Sequence, residues 1–214
     1  MSFTEFVDGP FWYFSLSVFV IGILWRLIGL LAMSGHTDLS RERGSAFAGG
    51  MHSVMSRFIP LSTVQTRIRV RTVASYLFHI GLFIILLFAA PHVAFYEDRL
   101  LGFGWPAMPH WTFVAVSAVT FIGLIVLWLH RIMYPVTRMV TSNADHIATG
   151  LVFLVMLTGC MALGESFEGL RVLHLFSAEL LLLYFPFSSL MHAFYFYIAR
   201  ARTGAHYGRR GVKV

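Results

Sequence analysis

Charge is what this sequence has least of. Asp, Glu, Lys and Arg make up 12% of its 214 residues, about half the share of a soluble domain. Most of the surface must therefore face something other than water. Cysteine is almost absent as well. The single thiol, Cys160, sits in an apolar run, so an internal disulfide is excluded. Alone it holds neither structural zinc nor an iron–sulfur cluster, and any redox centre must use other ligands. No internal repeat or low-complexity tract is evident, which argues against the repeated halves of transporters. The start, MSFTEFVDGP, has Glu5 and Asp8 but no Lys or Arg. A secretory signal needs a basic start, so this end is expected to be retained.

What the chain does have is apolar length. Hydrophobic residues make up 57%, with 21 Phe, 10 Met and 5 Trp. Crossing a bilayer core of about 30 Å takes roughly 20 apolar residues of helix. Five runs qualify, at about 10–33, 73–95, 111–130, 144–164 and 172–199. They are too continuous for barrel strands, which alternate. The sequence predicts an all-α integral membrane bundle of five transmembrane helices, a single domain over 1–214.

The connecting segments set its direction. Segment 34–72 carries Arg41, Arg43, Arg57, Arg67, Arg69 and Arg71, segment 131–143 carries Arg131 and Arg138, and the tail 200–214 carries Arg200, Arg202, Arg209, Arg210 and Lys213. The opposite connections, 96–110 and 165–171, balance Arg99 and Arg171 against Glu97, Asp98, Glu165 and Glu168. The positive-inside rule puts the N-terminus outside and the C-terminus in the cytoplasm. The net charge of +6 is thus a topology signal; no nucleic-acid partner is expected, and the contact is membrane lipid. Within 34–72, SRFIPLSTVQTRIRVR reads equally as an amphipathic stretch on the inner membrane surface or as a basic connector.

Ten histidines are many for so apolar a chain, and an ionisable group at membrane depth usually has a reason. His174 and His192 stand eighteen residues apart in the fifth run. On a continuous helix that is five turns, roughly 27 Å on one face. The antiparallel second run places His79 level with His192 and His92 level with His174. Two haems, each between two imidazoles, use all four, and bis-histidine ligation favours electron transfer over oxygen chemistry. His92 lies about 220° around an ideal helix from His79. Pro91 would kink or end that helix and either re-aims His92 or leaves it interfacial, with His110 as the rival. His130 and His146 read as interfacial caps, and His36, His52 and His206 as solvated. Gly81 gives room for a ring or for helix packing. Glu179, inside the fifth run, either accepts a quinol proton or bonds a neighbouring helix. Arg171, one turn before His174, snorkels or pairs with a propionate.

The segments YLFHIGLFI, LHLFSAELLLLYFPFSSLMHAF and SNADHIATGLVFLVMLTGCMAL resemble the cytochrome b subunit of respiratory nitrate reductase, the NarI-like gamma-subunit family, from about residue 58 to the end. The second histidine of that family's second span falls here on Ala89. SRFIP, FHIGL, APH with His92 and the tail GRRGVKV are closer to the Tmc and Hmc transmembrane redox complexes of sulfate-reducing bacteria. The resemblance implies a di-haem b subunit in the bacterial inner membrane. It would exchange electrons with menaquinone, a periplasmic multihaem cytochrome c and a cytoplasmic iron–sulfur subunit related to heterodisulfide reductase. The alternatives are a single-haem b subunit and a redox-inactive membrane anchor.

Overall fold

Apolar chain in a bilayer can satisfy its backbone only as helix or closed barrel. This chain is all-α. The computed structural model describes residues 1–32, 41–59, 62–164 and 167–212, with the backbone alone at 62–67, 164 and 168. The expectations placed on His36, Glu165 and Lys213, on the side chains of Arg67 and Glu168, and on the centre of the SRFIP stretch lie outside the described residues. Among the described residues there is no strand. The helices are α1 (Phe3–Phe6), α2 (Trp12–Ala32), α3 (Ala46–Ser56), α4 (Ser62–Phe88), α5 (Ala90–Phe95), α6 (His110–Met133), α7 (Pro135–Val140), α8 (Asn143–Gly164), α9 (Glu168–Tyr184) and α10 (His192–Arg209). Five stretches are long and apolar enough to cross a membrane: Phe3–Ala32, Ile68–Phe88, His110–Met133, Asn143–Leu163 and Gly169–Phe187. The chain is a multi-pass membrane protein.

The first stretch starts earlier than expected. Pro10 has no N–H to give, and the helix passes it in a π-helical turn, Val7–Phe11, that joins α1 to α2. The second stretch breaks where Pro91 predicts. Ala89 turns extended (ψ 135°), and the chain restarts as α5 with Pro91 in its first turn.

The fifth stretch departs from expectation. The sequence suggests one helix over 172–199, but α9 ends at Tyr184 and α10 starts at His192. Pro186 removes a backbone donor and crowds the preceding turn. Two short 3-10 turns follow, separated by Ser188 in an extended conformation (φ −113°, ψ 175°). Helical phase does not run through this segment, so five whole turns do not connect His174 to His192.

The chain divides into two compact units, one of Met1–Trp12 with Ile68–Leu181, the other of Tyr13–Arg67 with Leu182–Val214. His79, His92 and His174 belong to the first and His192 to the second.

In the first unit, the break at Ala89 leaves the last four carbonyls of α4 without helical partners. Inside a membrane each such group costs several kcal/mol unless it is met. All four are met. Ile85 O accepts from Ala89 N (3.0 Å) and from His92 Nδ1 (3.1 Å). Leu86 O accepts from Tyr96 Oη (3.1 Å), Leu87 O from Trp105 Nε1 (2.8 Å), and Phe88 O from Met108 N (2.8 Å). Segment 96–108 is thus held as a cap over the end of α4.

In the second unit, a stretch expected to be only a connection contains α3, N-capped by the Ser45 hydroxyl accepting from Ala48 N (3.2 Å). It packs on α10 through glycine. Gly49 and Gly204 oppose each other so closely that a Cβ on either would run into the other's carbonyl oxygen. Arg200 lies 3.9 Å from the Phe196 ring centroid, and Arg202 donates to Leu30 O at 2.8 Å. The basic residues of α10 are thereby anchored to aromatic and backbone groups of their own unit.

Candidate functional site

His92 and His174 come together in the first unit. Their ring centroids are 6.2 Å apart and the ring planes are inclined by 25°. His92 lies beyond the break: α4 ends at Phe88 and the chain restarts at Ala90, so an unbroken helix does not set the direction of its ring. The chain tucks in on buried Ala89 and Val93 on either side. His110, the rival, opens α6 and is exposed.

The hydrogen bonds fix the tautomers. A carbonyl only accepts, so a ring nitrogen bonded to one must carry the proton. His92 Nδ1 donates to Ile85 O (3.1 Å), His79 Nδ1 to Ser75 O (2.7 Å), and His192 Nδ1 to Ser189 O (2.8 Å). His174 Nδ1 faces Thr158 Oγ1 at 3.3 Å. The Thr158 hydroxyl also lies 2.9 Å from Leu154 O and 3.0 Å from Ser177 Oγ, so its proton has more than one acceptor. In His79, His92 and His192 the Nδ1 proton is thus committed to a backbone carbonyl, which leaves Nε2 as the metal-binding nitrogen. This is the arrangement metal-binding histidines use, the second nitrogen held by an acceptor that orients the ring and raises its basicity. His146 is the contrast. Trp128 Nε1–H can only donate, and it donates to His146 Nδ1 (3.1 Å), so that ring carries its proton on Nε2.

The shell behind His174 is built for a ring. Gly159 on α8 faces it, and a Cβ there would meet His174 Cε1 at 2.9 Å and Nδ1 at 3.2 Å. Beside it, Thr158 and Ser177 are both buried, with hydroxyl oxygens 3.0 Å apart, and Ser177 donates back to His174 O (2.8 Å). Phe11 stacks on Phe176 (5.6 Å) and Trp12 meets Phe95 edge-on (5.2 Å). These contacts tie the first helix to α9 and α5.

Arg171 has a carboxylate partner within the chain. It pairs with Asp8, Nη2 to Oδ2 at 2.6 Å and Nη1 to Oδ1 at 3.4 Å. Glu179 is 1% exposed, and its Oε2 has no hydrogen-bond partner. Gly81 lies against the Thr120 side chain, so helix packing accounts for it. Thr158, Gly159 and Ser177 beside His174, and Asp8 against Arg171, are neighbours the sequence did not point out. The signal available for the first two was small and hydroxylated residues, TG, in the middle of an otherwise apolar span.

Chemically, the pair fits one kind of metal group. A metal–imidazole bond is about 2 Å long, so two of them in line across one metal put ring centroids about 6 Å apart. Among the described residues no three His, Cys, Asp or Glu side chains cluster to hold a bare ion. Two imidazoles suffice only for a metal that brings its other donors with it, as an iron porphyrin does.

A protein of Nitratidesulfovibrio vulgaris strain Hildenborough is 29% identical to this chain over 215 residues, covering 96% of this chain and 94% of its own length; it carries only the name "Protein". No family model matches the chain. No solved structure matches it.

Proposed function

We propose that this chain is a membrane cytochrome b subunit that carries electrons on two b haems, with His92 and His174 as the axial ligands of one. His79 and His192 keep the ligand role the sequence gives them. The observation that carries the reading is the ring pair, 6.2 Å apart, with His92 Nδ1 bonded to a backbone carbonyl and His174 Nδ1 beside the Thr158 hydroxyl. A haem held by His92 and His174 would supply one-electron chemistry. The protein's part would be to hold the two rings and orient them through the groups at their Nδ1 atoms.

The charge asymmetry of the connections supports placing the N-terminus and the His92–His174 site towards the periplasm, with the membrane being the bacterial inner membrane. The resemblance to NarI-like and Tmc/Hmc-type subunits supports the partners: a cytoplasmic iron–sulfur subunit related to heterodisulfide reductase, and a periplasmic multihaem cytochrome c or the menaquinone pool. The chain then acts as the transmembrane arm of a respiratory oxidoreductase.

The test is a redox-titrated optical spectrum and haem count of the purified protein, with each of the four histidines replaced in turn by Ala. Two b haems are expected, one lost in both His92→Ala and His174→Ala. A well-folded protein that takes up no haem would leave a redox-inactive anchor.

A further inference from the structure

Glu179 is the group this reading leaves unused. It lies in α9, inside the stretch Gly169–Phe187, with one carboxyl oxygen bonded to nothing. An ionisable side chain at membrane depth is costly to keep, and where one persists it usually moves or holds a charge. Two neighbours give it a role. Along α9 it is five residues from His174, about 7.5 Å of helix rise. At such range, through a medium of low dielectric, a unit change of charge on one group acts strongly on the other. From the first helix, Asp8 interacts with it electrostatically. The Asp8 side chain is 30% exposed and is gripped by Arg171, itself 54% exposed. The helix that carries His174 thus also carries, about one and a half turns on, a buried carboxyl with an unpartnered oxygen.

We infer that Glu179 is the proton-exchanging group of the His92–His174 site, taking up a proton as an electron arrives there and releasing it as the electron leaves. The inference rests on the haem reading above. Each electron taken up is matched by one proton, and the only bond made and broken is the O–H bond at Glu179. The charged group that acts on Glu179 from another element is Asp8 of the first helix, which pairs with Arg171.

The test is a dithionite redox titration of the purified holoprotein in lipid nanodiscs at a series of pH values. The haem at this site is identified by its loss in His174→Ala. In the wild type, the reduction equilibrium at this haem should fall as pH rises, approaching tenfold per pH unit, or 59 mV for a one-electron couple. Glu179→Gln should keep the haem and flatten that slope, and Glu179→Asp should restore part of it. A flat wild-type profile, or an unchanged slope in Glu179→Gln, overturns the inference and leaves the haem reading standing. A wild-type protein with no haem spectrum overturns the haem reading itself. Should Glu179→Gln fail to assemble, the wild-type reduced-minus-oxidised infrared spectrum decides: a carboxyl C=O band appearing on reduction supports the inference, and its absence overturns it.

Discussion

Glycine does two different jobs in the two units. Between α3 and α10 it lets backbone meet backbone: a Cβ on Gly208 would strike Gly49 Cα at 2.7 Å and Ser45 O at 2.8 Å. Nothing there can move aside, and the contact leaves no room for a ligand. Between α8 and α9, a Cβ on Gly159 would strike only the rim of an imidazole. The missing side chain makes a seat for the His174 ring. The first is a joint closed to the limit of sterics, as small residues allow in helix pairs; the second is a gap of defined shape. A tight glycine contact therefore marks a site only where the atom it faces has chemistry to offer.

The largest test of this contrast is His174→Ala. Removing one of two axial imidazoles should abolish the haem absorbance of that site while the protein still folds, read as half the wild-type haem per chain. Next in size is Gly204→Val. Overpacking against fixed backbone costs about 3 kcal/mol at the upper end of its usual range. The expected result is local opening of α3 from α10 and faster proteolysis of the 41–59 segment, with the haem on His92 and His174 retained. Loss of that haem in Gly204→Val would break the distinction between joint and seat.

Much of this was legible in the sequence, for reasons specific to each part. The membrane stretches are legible because composition alone defines them. The break that frees His92 is legible because Pro91 has a local effect on backbone geometry. Pro186 carries the same signal, yet the apolar run LLLLYFPFSSL continues through it, and composition hides the interruption between α9 and α10. The α3–α10 pairing is less legible: Gly49, Gly204 and Gly208 are spaced for close packing, but the partner of each is far away in the chain. The caps on α4 depend on Tyr96, Trp105 and Met108 folding back, and the Arg171–Asp8 pair spans 163 residues. Such contacts follow from tertiary structure and leave no periodic trace.

A smaller effect sharpens the comparison at Gly159. Gly159→Ala adds one carbon within 2.9 Å of His174 Cε1. The ring must shift by a few tenths of an ångström, since the backbone of α8 is the stiffer partner. Displacing a ligand through its support shell should weaken haem binding by about tenfold to 100-fold, measured by haem transfer to an apo-acceptor. Haem loss as slow as in the wild type would mean that the seat is looser than its geometry.

The smallest effect is the most specific. Thr158→Val keeps the shape of the side chain and removes the hydroxyl beside His174 Nδ1. The imidazole loses the partner that makes it a stronger donor, so the ferric state is less stabilised and the midpoint potential of that haem should rise. Affinity should fall by about tenfold, while Thr158→Ser, which restores the hydroxyl, should return both values to near the wild type. His79 and His92 provide the control, because their acceptors are the backbone carbonyls of Ser75 and Ile85, which side-chain substitution cannot remove. A potential that does not move in Thr158→Val, with the haem still bound, would show that His174 owes its orientation to packing against Gly159 and not to the hydroxyl beside it.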